Sequence, residues 1–96
     1  MLDPSLLILA SLAEGDKHGY AMMEDIEAFA GARLGPGTLY GAITRLVDRG
    51  LIRAAATSDK RRQPYTLNAA GKRALREQLG ELGPVVKAGL KRLGPA

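Results

Sequence analysis

The amino-acid sequence predicts a mainly α-helical fold with one small β-hairpin. Apolar residues recur at helical spacing in four segments, and two short runs with strand character flank a polar loop before the last of them. The 96 residues, 46% apolar and 25% charged, suit one folded domain rather than a multidomain enzyme. A chain this short buries little surface, and it has one histidine and no cysteine, so a partner chain is the expected source of further stability. No cofactor is expected.

The first predicted helix begins at Pro4, with Asp3 as its cap. The apolar run Leu6–Ala10 makes it apolar on nearly every side, so we expect its own domain and a second subunit to cover it. The run is too short to span a bilayer and lacks the basic flank of an export signal, so no membrane segment is expected. Together with the lack of cysteine, this favours a cytoplasmic location.

The second helix is predicted to begin at Gly19, after a break at residues 14–16, and to end near Gly31. Its apolar residues share one face, which we interpret as domain core rather than as a cofactor site. These residues are Met22, Met23, Ile26 and Phe29.

The third helix is predicted to begin near Pro36 and Thr38 and to end at Gly50. One stripe is apolar and predicted to be buried, comprising Leu39, Ile43, Leu46 and Val47. The opposite face is polar and largely basic, comprising Thr38, Tyr40, Gly41, Thr44, Arg45, Asp48 and Arg49.

The hairpin is predicted from the strand-like runs 51–53 and 65–67, with three consecutive cations at the tip of the loop between them. Asn68 is the predicted cap of a last helix, which carries a heptad-like apolar seam. Gly80, Gly83 and Pro84 interrupt that helix and predict a kink or two helices, over 69–82 and 85–93. The seam consists of Leu75, Leu79, Leu82, Val86, Leu90 and Leu93.

The charge is distributed unevenly along the chain. Residues 1–32 contain six acids and one base, a net charge of −5, whereas residues 33–96 contain thirteen bases and four acids, a net charge of +9. The second part of the chain could therefore bind a polyanion that the first part repels.

Three short helices followed by a hairpin is the order of elements in a winged helix-turn-helix domain. In such a domain the third helix enters the major groove of DNA, and the hairpin tip, or wing, lies along the backbone or the minor groove. The cations of the third helix and of the loop tip fall where this docking needs them. We therefore expect a winged helix-turn-helix domain over residues 1–67 and a helical dimerisation segment over residues 68–96.

Several motifs resemble those of the PadR family of bacterial transcriptional regulators. They are His18-Gly19-Tyr20, Gly35-Pro36-Gly37-Thr38-Leu39-Tyr40, Gly50-Leu51-Ile52 and Tyr65-Thr66-Leu67. The resemblance implies a homodimeric repressor that reads a palindromic operator in double-stranded DNA, with the C-terminal helix packed on the partner's N-terminal helix. The dimer interface would then include Leu6, Leu9, Leu75, Leu79, Leu82, Val86 and Leu90.

The same resemblance implies that a small-molecule effector could bind at the dimer interface. Drug-binding members of the family stack flat ligands between tryptophans there, and this chain contains no tryptophan. An effector pocket of that type is therefore not expected.

Among the candidate DNA contacts, Tyr40 is expected to reach phosphate, sugar or base, and the alternative is that it packs beside the wing. Thr38 could cap the third helix or donate to a phosphate. Arg45 is expected to read a base or the backbone. Arg49 is expected to contact the backbone, the alternative being a partner in the neighbourhood of Asp48. Gly41 and Thr44 complete the proposed surface of this helix.

Outside the third helix, the wing cations Lys60, Arg61 and Arg62 are expected to neutralise phosphates, the alternative being a merely solvated charge run. His18 and Tyr20 open the second helix, where free backbone N–H groups could meet a phosphate. No metal-ligand cluster or catalytic constellation is recognisable, so an enzyme is not expected. The other function left open is a winged-helix module that binds a protein or RNA without operator specificity.

Overall fold

The computed structural model describes residues 2–59 and 61–95. Four helices and three short strands follow one another in the order helix, strand, two helices, two strands, helix. Their bounds are α1 Pro4–Ala13, β1 Lys17–His18, α2 Gly19–Ala30, α3 Pro36–Asp48, β2 Ile52–Ala54, β3 Pro64–Leu67 and α4 Ala69–Leu93. The predicted mainly helical fold with a hairpin is confirmed.

Both predicted side-chain caps are present. The backbone N–H of Ser5 donates to Asp3 Oδ1 at 3.0 Å, and that of Gly71 donates to Asn68 Oδ1 at 2.9 Å, so one orphan amide at each helix start is satisfied. Asn68 also donates from Nδ2 to the carbonyl of Gly50 at 2.7 Å, which fastens the start of α4 to the end of α3.

Helix α1 lies at the centre of the domain. It contacts α2, α3, α4 and β3, and Ile8 and Leu9 have no exposed surface. The domain therefore covers this helix by itself, and the apolar character of α1 does not require the second subunit that the sequence suggested. Its buried residues are Ser5, Leu6, Leu7, Ile8, Leu9, Ser11 and Leu12.

The sheet has three strands rather than the two of the predicted hairpin, in the order β1-β3-β2 with both pairs antiparallel. The additional strand pairs Lys17 with Tyr65 and His18 with Pro64. Its two residues are too few to show a strand pattern in the sequence, and its pairing brings the start of α2 beside the wing.

Helix α4 is one continuous helix, so the predicted division into two helices over 69–82 and 85–93 is wrong. Pro84 removes a bond to the carbonyl of Gly80, but this part of the helix is exposed and water can bond the carbonyl instead. With 25 residues α4 is about 37 Å long. It accounts for the elongated shape of the chain, which measures 52 × 25 × 20 Å.

Two side chains assigned to the core from their spacing are not in it. Phe29, near the end of α2, is 50% exposed, and Val47, near the end of α3, is 40% exposed. Both stand at the edge of an otherwise buried stripe, where the domain no longer covers the helix. Ala42 is fully buried on α3 instead.

Candidate nucleic-acid interface

The polar face of α3 is exposed, as its sequence predicts. Gly35 is the N-cap, so Thr38 at the third helical position does not cap the helix, which corrects one of its two expected roles. The Thr44 hydroxyl donates to the carbonyl of Tyr40 at 2.9 Å, within the same helix. That hydroxyl is thereby left to act as an acceptor, beside a methyl group that could contact thymine.

Arg45 is the long cationic side chain in the middle of this face. A Cβ on Gly41 would be 3.6 Å from a terminal nitrogen of Arg45, so the guanidinium lies over the glycine one turn earlier. Arg49 forms the C-terminal cap position of α3 and is also exposed. The exposed surface of α3 thus presents two guanidinium groups and few bulky side chains, a form that fits a major groove.

A notch lies where the start of α2, the helix α3 and the wing meet. It has a volume of about 360 Å³ and is open to solvent. Five residues expected to contact DNA line it, together with three that were not foreseen. The expected residues are His18, Tyr20, Tyr40, Arg61 and Arg62, and the others are Gly19, Gln63 and Tyr65.

His18 has a specific role at the edge of this notch. It is the N-cap of α2, and its Nδ1 accepts from the backbone N–H of Ala21 at 3.3 Å. One of the free amides expected to meet a phosphate is therefore already bonded. In the neutral ring that accepts at Nδ1, the proton is on Nε2, which is then a donor.

The wing is held by short-range hydrogen bonds around Asp59. The backbone N–H of Arg61 donates to Asp59 Oδ1 at 2.9 Å, and the Arg61 guanidinium is 3.7 Å from the same oxygen. This ion pair is exposed, so it holds Arg61 only weakly. Gln63 Nε2 donates to the carbonyls of Ala55 at 2.8 Å and Pro64 at 2.6 Å, which closes the base of the loop. The predicted contact Lys60 lies outside the described residues.

A family model for PadR-like transcriptional regulators matches residues 8–77, from α1 into α4. The chain belongs to the PadR-like family of transcriptional regulators. The resemblance found in the His18-Gly19-Tyr20 and Pro36-Gly37-Thr38-Leu39-Tyr40 motifs is thereby confirmed, as is the winged-helix fold.

Solved structures of PadR-family proteins share this fold. A PadR-family regulator from Clostridium difficile is 25% identical, with a TM-score of 0.81 over 95% of this chain and 98% of that one. Bacillus subtilis PadR, solved in complex with operator DNA, is 25% identical, with a TM-score of 0.70 over 78% of this chain and 45% of that one.

A curated relative extends the similarity to a longer protein. An uncharacterized 37.1 kDa protein in a transposon of Streptomyces fradiae is 42% identical over 76 residues, which cover 79% of this chain. The chain spans 22% of the length of that relative.

The expected dimer residues of this PadR-like chain fall into two groups. Leu6, Leu9 and Leu75 are buried within the chain, and Leu9 has no exposed surface to offer a partner. Leu82 is partly buried against the core, near Leu6, in a depression between α1 and α4. The exposed group consists of Leu79, Val86 and Leu90. Leu93, from the predicted seam, and Val85, which was not foreseen, extend it.

Neither a membrane-spanning helix nor a metal-binding cluster is present in the described residues. None of the helices within residues 2–59 and 61–95 is long and apolar enough to cross a membrane. The same part of the chain contains no group of three side chains that could hold a metal ion.

Proposed function

We propose that this PadR-like chain is a cytoplasmic, homodimeric repressor that binds a palindromic operator in double-stranded DNA. The observation that carries the proposal is the surface on which the polar face of α3, the wing and the start of α2 adjoin around one notch. The exposed cations of α3 and of the wing suit DNA because phosphate neutralisation supplies most of the affinity for it. Two acidic residues of α2, Glu24 and Glu27, lie around a second depression beside Arg33, which adjoins the notch at Tyr20.

In the proposed complex α3 lies in the major groove. Arg45 would donate to a base edge, for which guanine is the preferred partner of arginine, while Arg49 would contact the backbone. Thr38 is in the first turn of α3, where the helix N-terminus also favours a phosphate. The wing would follow the adjoining backbone, with Arg61 and Arg62 neutralising phosphates.

The proposed dimer rests on the seam of α4. On a regular helix, the seam positions from Leu75 to Leu93 lie within an arc of about 80°. The stripe is buried at Leu75 and then continues past the domain, with Leu79 49% exposed and Leu90 67% exposed. A second copy that packs on this stripe would bury it by an isologous contact, and would place two α3 helices about 34 Å apart on DNA. The proposed division at residue 67 assigns all of α4 to the dimerisation segment, although α4 also contacts α1.

Any small-molecule effector would, in this proposal, bind at the same dimer interface. The exposed side chains available there are aliphatic, namely those of Leu79, Val85, Val86, Leu90 and Leu93. Such a pocket would select an apolar ligand by contact area rather than by stacking between tryptophans.

The test begins with genomic DNA fragments retained by the purified protein, which supply a specific duplex. Fluorescence anisotropy then compares that duplex with a scrambled one at several salt concentrations. We expect affinity to fall steeply with salt, and a flat salt response would contradict the proposal. Failure of duplex DNA to bind or compete, with an RNA or a protein bound instead, would favour the alternative of an interaction module.

Two variants distinguish a contact to the phosphate backbone from a contact that reads a base. Arg61→Ala should weaken binding to both duplexes alike. It should also lower the slope of log affinity against log salt concentration by about one. Arg45→Ala should cost about 1–3 kcal/mol on the specific duplex and little on the scrambled one. Lys87→Ala, which removes an exposed cation on α4, is the matched control and should change neither affinity.

A further inference from the structure

Gly19, at the first position of α2, is buried against the hydroxyl end of the Tyr40 side chain. A Cβ built on Gly19 would lie 2.7 Å from Cζ of Tyr40 and 3.0 Å from Cε1, and closer still to the hydroxyl oxygen. These separations are shorter than any van der Waals contact between carbon atoms. The tyrosine can therefore occupy its position only because residue 19 has no side chain.

The backbone gives no other reason for glycine at this position. The positive-φ glycines within the described residues are Gly15, Gly31, Gly50 and Gly94, so Gly19 is not among them. Alanine is also a better helix former than glycine. An alanine at residue 19 would thus suit α2, and the three atoms nearest to its Cβ would all belong to the distal end of the Tyr40 side chain.

That side chain is not part of the buried core. Tyr40 is 48% exposed and lines the notch together with His18, Arg61 and Arg62. The ring can rotate outward into this open space without disturbing the packing of the domain. A side chain at residue 19 would accordingly leave the fold intact and move an aromatic ring within the proposed DNA surface.

We infer that Gly19 is a positioning residue for DNA binding, which sets the location of the Tyr40 ring and hydroxyl between α3 and the wing. The inference rests on the proposed function, because the consequence of moving Tyr40 is expressed in DNA affinity. The glycine of the His18-Gly19-Tyr20 motif would thus affect DNA binding through Tyr40 on α3, although the glycine itself lies on α2.

A double-mutant cycle tests the inference with the 96-residue chain and the specific duplex obtained from the retained genomic fragments. Gly19→Ala should weaken DNA binding by about tenfold, without lowering the thermal midpoint. In a Tyr40→Ala background the same substitution should change the affinity by less than about twofold, because the ring that it displaces is absent. Gly80→Ala, at a helical glycine where a Cβ would meet nothing, controls for helix propensity and should leave DNA affinity unchanged.

NMR of the protein without DNA supplies an independent readout. We expect nuclear Overhauser effects between Gly19 Hα and the Tyr40 ring, and altered ring shifts in Gly19→Ala. Absence of these effects, full DNA affinity of Gly19→Ala, or an equal loss in both tyrosine backgrounds would each overturn the inference. If the unsubstituted protein bound no duplex, the proposed function and the role of Gly19 in it would both fail, and the NMR data would still report the ring contact.

Discussion

Helix α1 and the distal half of α4 are both rich in apolar residues, but the domain buries those of α1 and leaves those of α4 exposed. Seven of the ten residues of α1 are buried by the chain itself, whereas the large apolar residues of α4 beyond Leu82 are all more than half exposed. An apolar helix by itself therefore does not indicate an interface. The indication comes from an apolar stripe that continues after the domain beneath it has ended.

The largest expected effect comes from placing a charge on the uncovered stripe. Leu79→Glu should abolish dimer formation, because a symmetric dimer loses the burial of two half-exposed leucines, about 1.5–3 kcal/mol in all, and would also bury two unpaired carboxylates. Since Leu79 is 49% exposed in the single chain, the domain should remain folded, as measured by circular dichroism. Light scattering after size-exclusion chromatography measures the mass.

Gly80→Glu is the matched control for this substitution. It adds the same charge at the next residue, outside the seam, where a Cβ would meet nothing. A dimer that survives Leu79→Glu, or that is lost equally in Gly80→Glu, would contradict the proposed seam.

The opposite behaviour is expected for α1. Leu9→Ala removes a side chain with no exposed surface, so the free energy of unfolding should fall by about 2–5 kcal/mol. Urea denaturation at several protein concentrations measures it. Leu9→Ala should lower the free energy of unfolding by the same amount when it is combined with Leu79→Glu, in which the chain is expected to be a monomer. If it appeared only in the dimer, α1 would belong to the interface rather than to the domain core.

A smaller effect is expected within α4 itself. Pro84→Ala restores a backbone donor in the middle of an exposed helical segment, and should stabilise the distal half by up to about 3 kcal/mol. Hydrogen exchange of residues 85–93 should slow accordingly, while exchange in α1 stays unchanged. Faster exchange in the distal half would mean that Pro84 favours the helix in its present form.

The smallest expected effects are those of the two caps. Asn68→Ala and Asp3→Ala should each cost about 1 kcal/mol of stability. Asn68→Ala should cost more stability than Asp3→Ala, because Asn68 also donates to the carbonyl of Gly50. Thermal unfolding of the two variants measures the difference, and a larger loss in Asp3→Ala would show that the tie between α3 and α4 contributes little.

Much of the fold follows from local sequence features. Caps at Asp3 and Asn68, a glycine after α2 and helical spacing on α3 identify the helices, because each is set by residues within a few positions. Strand β1 could not be predicted in this way, since its two residues pair with residues nearly fifty positions away. The continuity of α4 through Pro84 depends on solvent exposure, which the residue types alone do not specify.

The candidate site likewise contains features that local sequence predicts and features that depend on tertiary packing. Exposure of Tyr40, Thr44 and Arg45 follows from the helical pattern of α3. The approach of Tyr40 to Gly19 does not, because β1 and the packing of α2 against α3 bring these residues together. Tyr65 and Gln63 enter the notch for the same reason. The Tyr65-Thr66-Leu67 motif marks the strand but does not indicate that Tyr65 lies beside the start of α2.

The most direct test of the central claim is the mass of the protein–DNA complex, measured by native mass spectrometry on the selected duplex. We expect two chains on one duplex, on half-sites about 34 Å apart, and a greatly reduced yield of complex for Leu79→Glu. A complex containing a single chain, formed with undiminished affinity by Leu79→Glu, would contradict the claim.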